Sequence, residues 1–326
     1  MLCLDGFFLL FLGNRFILLL MKTRSKKPLR GALILLLATV IWGLAYIAQS
    51  DAMQYLGVLS YNCIRILLGG IVLIPIVPLF HRFDRSYRAH SPEEKRQIWR
   101  ISIVGGIVCG VFMGSAATFQ QYGIAMTSAG KSGFLTALYI VLVPIFGFLF
   151  RRRVPWISAL CVGIAVLGSY FLCVKDGFTI ERGDWMLIAD AVMFAFQILF
   201  IDFFLDRGAD SVLMACVEFL SAGILLLPWM FLFETPHWSG IWDARYTILY
   251  AGIASGAIGY TMQMIGQKEL EPTAASLLMS LESVFAALFG WWLLGERMTG
   301  RELLGCVLVF AAVILSQLPI GKRREE

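Results

Sequence analysis

Four formal charges lie deep inside long apolar stretches of this sequence: Arg65, Asp190, Glu218 and Glu282. An Arg or Asp at the centre of a bilayer-spanning helix costs roughly 2.5–3.5 kcal/mol on insertion scales. Side chains kept at that cost face a bundle interior or a water-filled cavity, where they hold ligands, pair with one another or relay protons. Glu282 stands in MSLESVF, between Ser280 and Ser283, in the middle of its apolar run. A carboxylate there can hold an ammonium group or carry a proton; a hydrogen bond to a neighbouring helix is the competing structural role. Asp190 has Phe194 and Gln197 on its own helical face, at i+4 and i+7. Arg65 and Glu218 stand equally far into their runs. A packing ion pair, two separately solvated groups, and a pair whose contact changes with conformation all fit that placement. Trp42, Tyr46 and Gln49 share another face. Trp42 is far from either end of its run, and its indole N–H needs a partner there. It either walls a cavity or packs against a neighbouring helix. Gln120, Gln121, Gln263 and Gln267 suit interhelical hydrogen bonds as well as ligand contact.

Other chemistries are poorly served. His81, His90 and His237 fall in predicted loops, which argues against a histidine-based metal or catalytic site within the apolar runs. No cofactor or metal is expected. The AGKSG run at 129–133 lacks the first glycine of a phosphate-binding loop, and no strand precedes it. Lys131 reads as a charge snorkelling at a helix end, with contact to an acidic solute as the alternative. The seven cysteines contain no C-x-x-C and read as small buried hydrophobes.

The elements that must hold these residues follow from composition. Of 326 residues, 59% are hydrophobic and 15% charged, and the mean hydropathy is +0.78. A soluble globule carries about 25% charged residues. A bilayer-spanning helix needs roughly 20 apolar residues. Such runs occur at 31–50, 58–80, 101–126, 132–150, 154–174, 185–201, 211–233, 246–266, 272–295 and 303–320. They are Leu-rich and lack alternation, so the expected class is all-α: a polytopic membrane protein with ten transmembrane helices. Lys and Arg crowd 22–30, 82–100, 151–153 and 322–324 and are sparse in the alternate loops. This bias puts both termini in the cytoplasm. It also accounts for the net charge of +5, so no nucleic-acid partner is implied. Trp99, Trp156, Trp185, Trp238 and Trp242 fall at predicted helix ends, as an interfacial belt does. Residues 1–20 are apolar but broken by Asp5, Asn14 and Arg15, and Met21 is the expected start of the protein.

The two halves match each other. Gly31 pairs with Gly183 and Trp42 with Phe194 at an offset of 152; Cys63 with Cys216, Arg65 with Glu218, Gly70 with Gly223 and Pro75 with Pro228 at 153. Gly106 pairs with Gly252, Gly110 with Gly256 and Gln121 with Gln267 at 146, and Gly163 with Gly305 at 142. Five helices per half reverse the sense of crossing, which makes a 5+5 inverted-topology repeat, a common plan of secondary transporters. The expected division is a leader and basic tail at 1–30, repeats at 31–174 and 183–320, and a basic tail at 321–326. Gly106, Gly110 and Gly114, with Gly252 and Gly256, read as close helix packing.

IWGLAYIAQ, YNCIRILLGG, YGIAMTSAGKSGFLTALYIVLVPIFGFLF and LLMSLESVFAALFGWWLLGERMTGRELLG resemble the EamA-type transporters of the drug/metabolite transporter superfamily over about 31–318. One departure is Arg151-Arg152-Arg153 where the second half has Gly295-Glu296-Arg297. The resemblance implies ten helices, a plasma-membrane location and movement of a small organic solute, with export of amino acids, amines or related metabolites as the broad expectation. The partners are then a small-molecule substrate, the lipid bilayer, and either protons or an exchanged solute. The expected site residues are Arg65, Glu218, Glu282 and Trp42, then Asp190, Tyr46 and Gln197. A non-transporting sensor or scaffold is the alternative; an intramembrane enzyme lacks a catalytic cluster.

Overall fold

The computed structural model describes residues 28–126, 129–147, 156–174, 181–293 and 298–317. The expected start at Met21, the Arg151–Arg153 run, the side chain of Lys131 and the C-terminal tail lie outside the described residues. Every regular element among the described residues is helical: α1 (Pro28–Ala52), α2 (Val58–Phe83), a short α3 (Arg85–Ala89), α4 (Pro92–Met126), α5 (Ala129–Thr136), α6 (Tyr139–Gly147), α7 (Trp156–Cys173), α8 (Arg182–Asp206), α9 (Ser211–Phe233), a short α10 (Trp238–Asp243), α11 (Arg245–Leu249), a π-helical segment (Tyr250–Tyr260), α12 (Thr261–Gln267), α13 (Pro272–Met279), α14 (Leu281–Leu293) and α15 (Gly300–Gln317).

Local chemistry sets several boundaries. α4 starts well before its apolar run because Ser91 and Glu94 cap it reciprocally around Pro92. Ser91 N–H donates to the Glu94 carboxylate (2.7 Å), and Glu94 N–H donates to Ser91 Oγ (3.2 Å). Asp210 caps α9 by accepting from Leu213 N–H at 2.8 Å. Between α8 and α9 the chain turns at Gly208, whose φ of 89° a side chain rarely adopts.

Among the described residues eight helical stretches are long and apolar enough to cross a membrane: α1, α2, α4, α7, α8, α9, Arg245–Gln267 and Pro272–Leu293. Their outer faces carry Ile71, Ile74, Ile107, Ile224, Leu225 and Phe231 in the open, and Trp99, Trp156, Trp185, Trp238 and Trp242 are exposed at helix ends. The chain is a multi-pass membrane protein. Three sequence expectations need correcting here. The run predicted at 132–150 is two short helices, α5 and α6, parted at Ala137–Leu138. The run at 272–295 is likewise parted, at Ser280, into α13 and α14. His81, expected in a loop, lies in the last turn of α2, buried and stacked on Tyr87 at 3.7 Å between ring centroids.

In lipid, helices associate through close packing and hydrogen bonds, because the tails are as apolar as the side chains. Glycine supplies the close approach. α9 lies between α2 and α4. A Cβ at Gly70 would fall 2.8 Å from Leu220, and one at Gly223 would meet Leu67 at 2.5 Å. Gly106, Gly110 and Gly114 of α4 receive Val217, Ser221 and Ala222 of α9. Cys63 Sγ donates to Gly223 O (3.6 Å) and Cys216 Sγ to Gly70 O (3.7 Å). α7 and α15 touch through Gly168 and Gly305, whose added Cβ atoms would each meet the other's carbonyl.

Candidate functional site

The two parted helices meet at a cavity of about 60 Å³. That volume holds a few waters or part of a small solute. α1 supplies Trp42, Tyr46 and Gln49; α2 supplies Arg65; α14 supplies Glu282. Gln120 of α4 and Gln263 of α12 add amides, and Phe194 and Tyr260 add aromatic walls.

Trp42 is fixed from the π-helical segment. A π turn bonds i to i+5 and loosens the local ladder. The Ser255 carbonyl accepts from Trp42 Nε1 at 3.1 Å. One turn earlier, Tyr250 Oη donates to the Ile41 carbonyl at 2.7 Å, so two bonds tie this segment to α1. Gly259 leaves the space: a Cβ there would lie 2.6 Å from Nε1. The indole meets the Tyr260 ring edge-on at 5.2 Å, and Tyr260 meets Phe219 the same way at 5.1 Å. Trp42 therefore both packs and lines the cavity.

Glu282 stands in the first turn of α14, immediately past the break, and not in mid-helix as the continuous apolar run predicts. Tyr46 and Tyr139 line the cavity beside its carboxylate. Tyr139 opens α6 at the other break, so the two interruptions face each other across this carboxylate.

Arg65 is buried and lines the cavity. Its Nε donates to Asn62 Oδ1 (2.8 Å), and Asn62 Nδ2 donates to the Ala117 carbonyl of α4 (2.9 Å). The Tyr61 ring lies 5.5 Å from the guanidinium carbon. Among the described residues Arg65 makes no ion pair. The packing pair with Glu218 considered from the sequence is absent. Gly70 sits opposite Leu220 and Gly223 opposite Leu67, which sets the two residues about 10 Å apart along the helices at 1.5 Å per residue. Glu218 turns instead toward α8 and accepts from Gln197 Nε2 at 2.9 Å. Gln197 Oε1 in turn accepts from Gln263 Nε2 at 3.2 Å, so Glu218 reaches the cavity wall through two amides.

Asp190 is also set one layer back. Its Oδ2 accepts from Thr136 Oγ1 at 2.9 Å. Asp190 Oδ1 and Glu218 Oε2 are buried with no hydrogen-bond partner among the described residues. The sequence-predicted residues thus form a layered centre. Trp42, Tyr46, Arg65 and Glu282 touch the cavity; Gln197, Glu218 and Asp190 stand behind it. Gln121 bonds the Gln49 carbonyl at 3.4 Å. Sequence reasoning missed Tyr139, Tyr260, Ser255, Asn62 and Thr136. Only Asn62 carried a signal, as a polar neighbour three residues before Arg65.

A cation and an anion lining one cavity, with aromatic walls and interrupted helices beside them, is a chemistry suited to a small dipolar or ionic organic solute; discontinuous helices build such sites in many transporters. Comparisons with known proteins agree in kind. A protein of Archaeoglobus fulgidus described as an uncharacterized transporter is 25% identical over 295 residues, covering 90% of this chain and 88% of its own. The Escherichia coli protein YedA, described as an uncharacterized inner membrane transporter, is 24% identical over 313 residues, covering 91% and 93%. A protein of known crystal structure superposes with a TM-score of 0.70 at 18% identity, over 87% of this chain and 95% of that one, which establishes the likeness of fold. The sequence pattern of the EamA-like transporter family matches twice, at residues 29–174 and 181–318. With nearly all the described helices inside those two matches, the chain belongs to the EamA-like transporter family.

Proposed function

We propose that the protein is a secondary active transporter of a small organic metabolite, an amino acid, amine or similar solute, that works by alternating access and favours export across the plasma membrane. The observation that carries this reading is the cavity that Arg65 and Glu282 both line. Arg65 receives the solute's anionic group. Glu282, with Tyr46 and Tyr139, receives an ammonium group or the coupling proton. Trp42, Phe194 and Tyr260 enclose the carbon skeleton. Gln263 reports occupancy, through Gln197, to Glu218.

The proposed frame is ten spans in a 5+5 inverted repeat, with both termini cytoplasmic. Three observations support it: the family pattern matches each half, the Cys63–Gly223 and Cys216–Gly70 contacts are reciprocal, and both halves carry a parted helix at the cavity. Packing refines the register. Gly110 lies against the Glu218 carbonyl and Gly252 against the Arg65 carbonyl. In the proposed repeat Gly110 would answer to Gly252, one turn from the Gly106 match that the sequence suggests.

A metabolite library screened on purified protein, read as a ligand-dependent thermal shift, identifies the solute. Flux and exchange in proteoliposomes then test transport. Glu282→Gln keeps shape and most hydrogen bonding; it is expected to fold and to lose most net flux. Surviving exchange without a pH gradient assigns Glu282 to proton coupling, and lost exchange with a smaller thermal shift assigns it to recognition. Unaltered flux and exchange would leave it a structural residue. A protein that binds a solute and moves none would be a sensor.

A further inference from the structure

α2 and α9 run antiparallel, one from each half of the chain, and touch at both ends. The contacts come from corresponding positions: 57 and 210 precede the two helices, 81 and 234 end them, all at the offset of 153 that matches Arg65 with Glu218. The chemistry at the two ends differs. α2 has Gly57 at its N-cap, with no side chain to accept its free N–H groups. Glu234, just past α9, supplies the cap from the other half: Leu59 N–H donates to Oε1 (3.0 Å) and Ser60 N–H to Oε2 (2.8 Å). The carboxylate fills the space that a Cβ at position 57 would take. At the opposite end α9 is capped by its own Asp210, which accepts from Leu213 N–H and whose N–H donates to Ser102 Oγ of α4 at 2.8 Å. From α2 comes only His81, with Nε2 at 3.4 Å from Asp210 Oδ1.

Parting the helices therefore has unequal consequences. At the Asp210 end α9 keeps its cap. At the Glu234 end two backbone donors lose their acceptor together. Ser60 is 1% exposed and Leu59 6%, so water replaces that acceptor poorly, and a buried donor without a partner is costly. We propose that Glu234 is a latch between the halves and that the asymmetric capping of α2 and α9 biases the molecule to open at the Asp210 end. This rests on the alternating-access reading above, but its test needs no flux.

Spin labels on introduced cysteines at Gln54 and Thr235 read the Glu234 end, and labels at Arg82 and Arg207 read the other; all four sites are exposed and the described native cysteines are buried. The wild type should show one short distance for the first pair and a second, longer population for the other. Glu234→Ala should lower Tm by about 2–4 °C, the loss expected for a helix cap. Gly57→Asp in that background supplies a cap from within α2, as Asp210 does for α9. Position 57 has the extended backbone a cap needs, φ −68° and ψ 161°, and the carboxylate that blocked it is gone. The double variant should regain the wild-type Tm and yet gain a longer-distance population at Gln54–Thr235. An unchanged distribution in the rescued protein would overturn the latch. So would a Tm that Gly57→Asp fails to restore, or a wild type that spreads at the Glu234 end. Absent solute flux with these distances as expected would count against transport and not against the latch.

Discussion

Gly259→Ala is the smallest change that tests how the cavity wall is held. The added methyl lands 2.6 Å from Trp42 Nε1 and 3.3 Å from Cε2. Real Cβ contacts do not approach so closely, so the indole must move and its bond to Ser255 O must lengthen from 3.1 Å. Overpacking costs about 1–3 kcal/mol, and an interhelical hydrogen bond in a membrane contributes about 0.6–1.7 kcal/mol. Against these stands the helix-propensity gain of Ala over Gly, about 1 kcal/mol. The net is a destabilisation of about 1–4 kcal/mol, or roughly 2–8 °C in Tm at about 2 °C per kcal/mol for a chain of this size. Thermal unfolding of the purified protein measures it. Trp42→Leu removes the obstructing ring and leaves a void that the Ala methyl partly fills. In that background Gly259→Ala should cost less than alone, with a coupling above the roughly 0.5 kcal/mol expected of independent sites. A Gly259→Ala protein as stable as wild type, or strictly additive changes, would mean the indole is not seated against Gly259.

Two further outcomes follow from the same geometry. Asn62→Ala releases Arg65 Nε and uncovers the Ala117 carbonyl; titration of the solute found in the screen should show weaker binding, but less loss than Arg65→Gln, and the reverse order would show that Asn62 does not act by aiming Arg65. In the predicted orientation a cysteine at Thr235 should react with an impermeant reagent on intact cells and one at Glu93 should not; the opposite pattern would invert the topology.

Most of the helices were legible because a bilayer demands long apolar runs, and the charges were legible because they are costly there. Trp42, Tyr46, Arg65 and Glu282 could be singled out from the sequence by type and depth alone, and the fold brings all four to one cavity. The breaks were not legible. Neither Leu135-Thr136-Ala137-Leu138 nor Leu278-Met279-Ser280-Leu281 contains Pro or Gly, and a continuous apolar run hides a change of backbone that tertiary contacts impose. The π-helical segment is similar: its glycines at 252 and 256 look like packing residues, and they are, but the wider turn that frees a carbonyl for Trp42 has no compositional mark.

Arg65 and Glu218 show how a sound positional argument stops short. Their equal distance from the two helix starts, and the adjacency of α2 and α9, make a salt bridge plausible on depth alone. Direction decides otherwise. Asn62, one turn before Arg65 on the same helix, holds Nε, and Arg65 lines the cavity. Gln197, on a third helix, takes Glu218 away from it. An ion pair there would have neutralised the cation to which the proposed solute binds. Keeping the two apart leaves Arg65 with no carboxylate partner among the described residues and puts Glu218 at the end of the Gln197–Gln263 chain that reaches the same cavity. In the proposed reading the matched positions serve two tasks, one facing the solute and one placed to respond to it, and substitutions at Arg65 and Glu218 should accordingly separate solute affinity from the coupling of binding to conformational change.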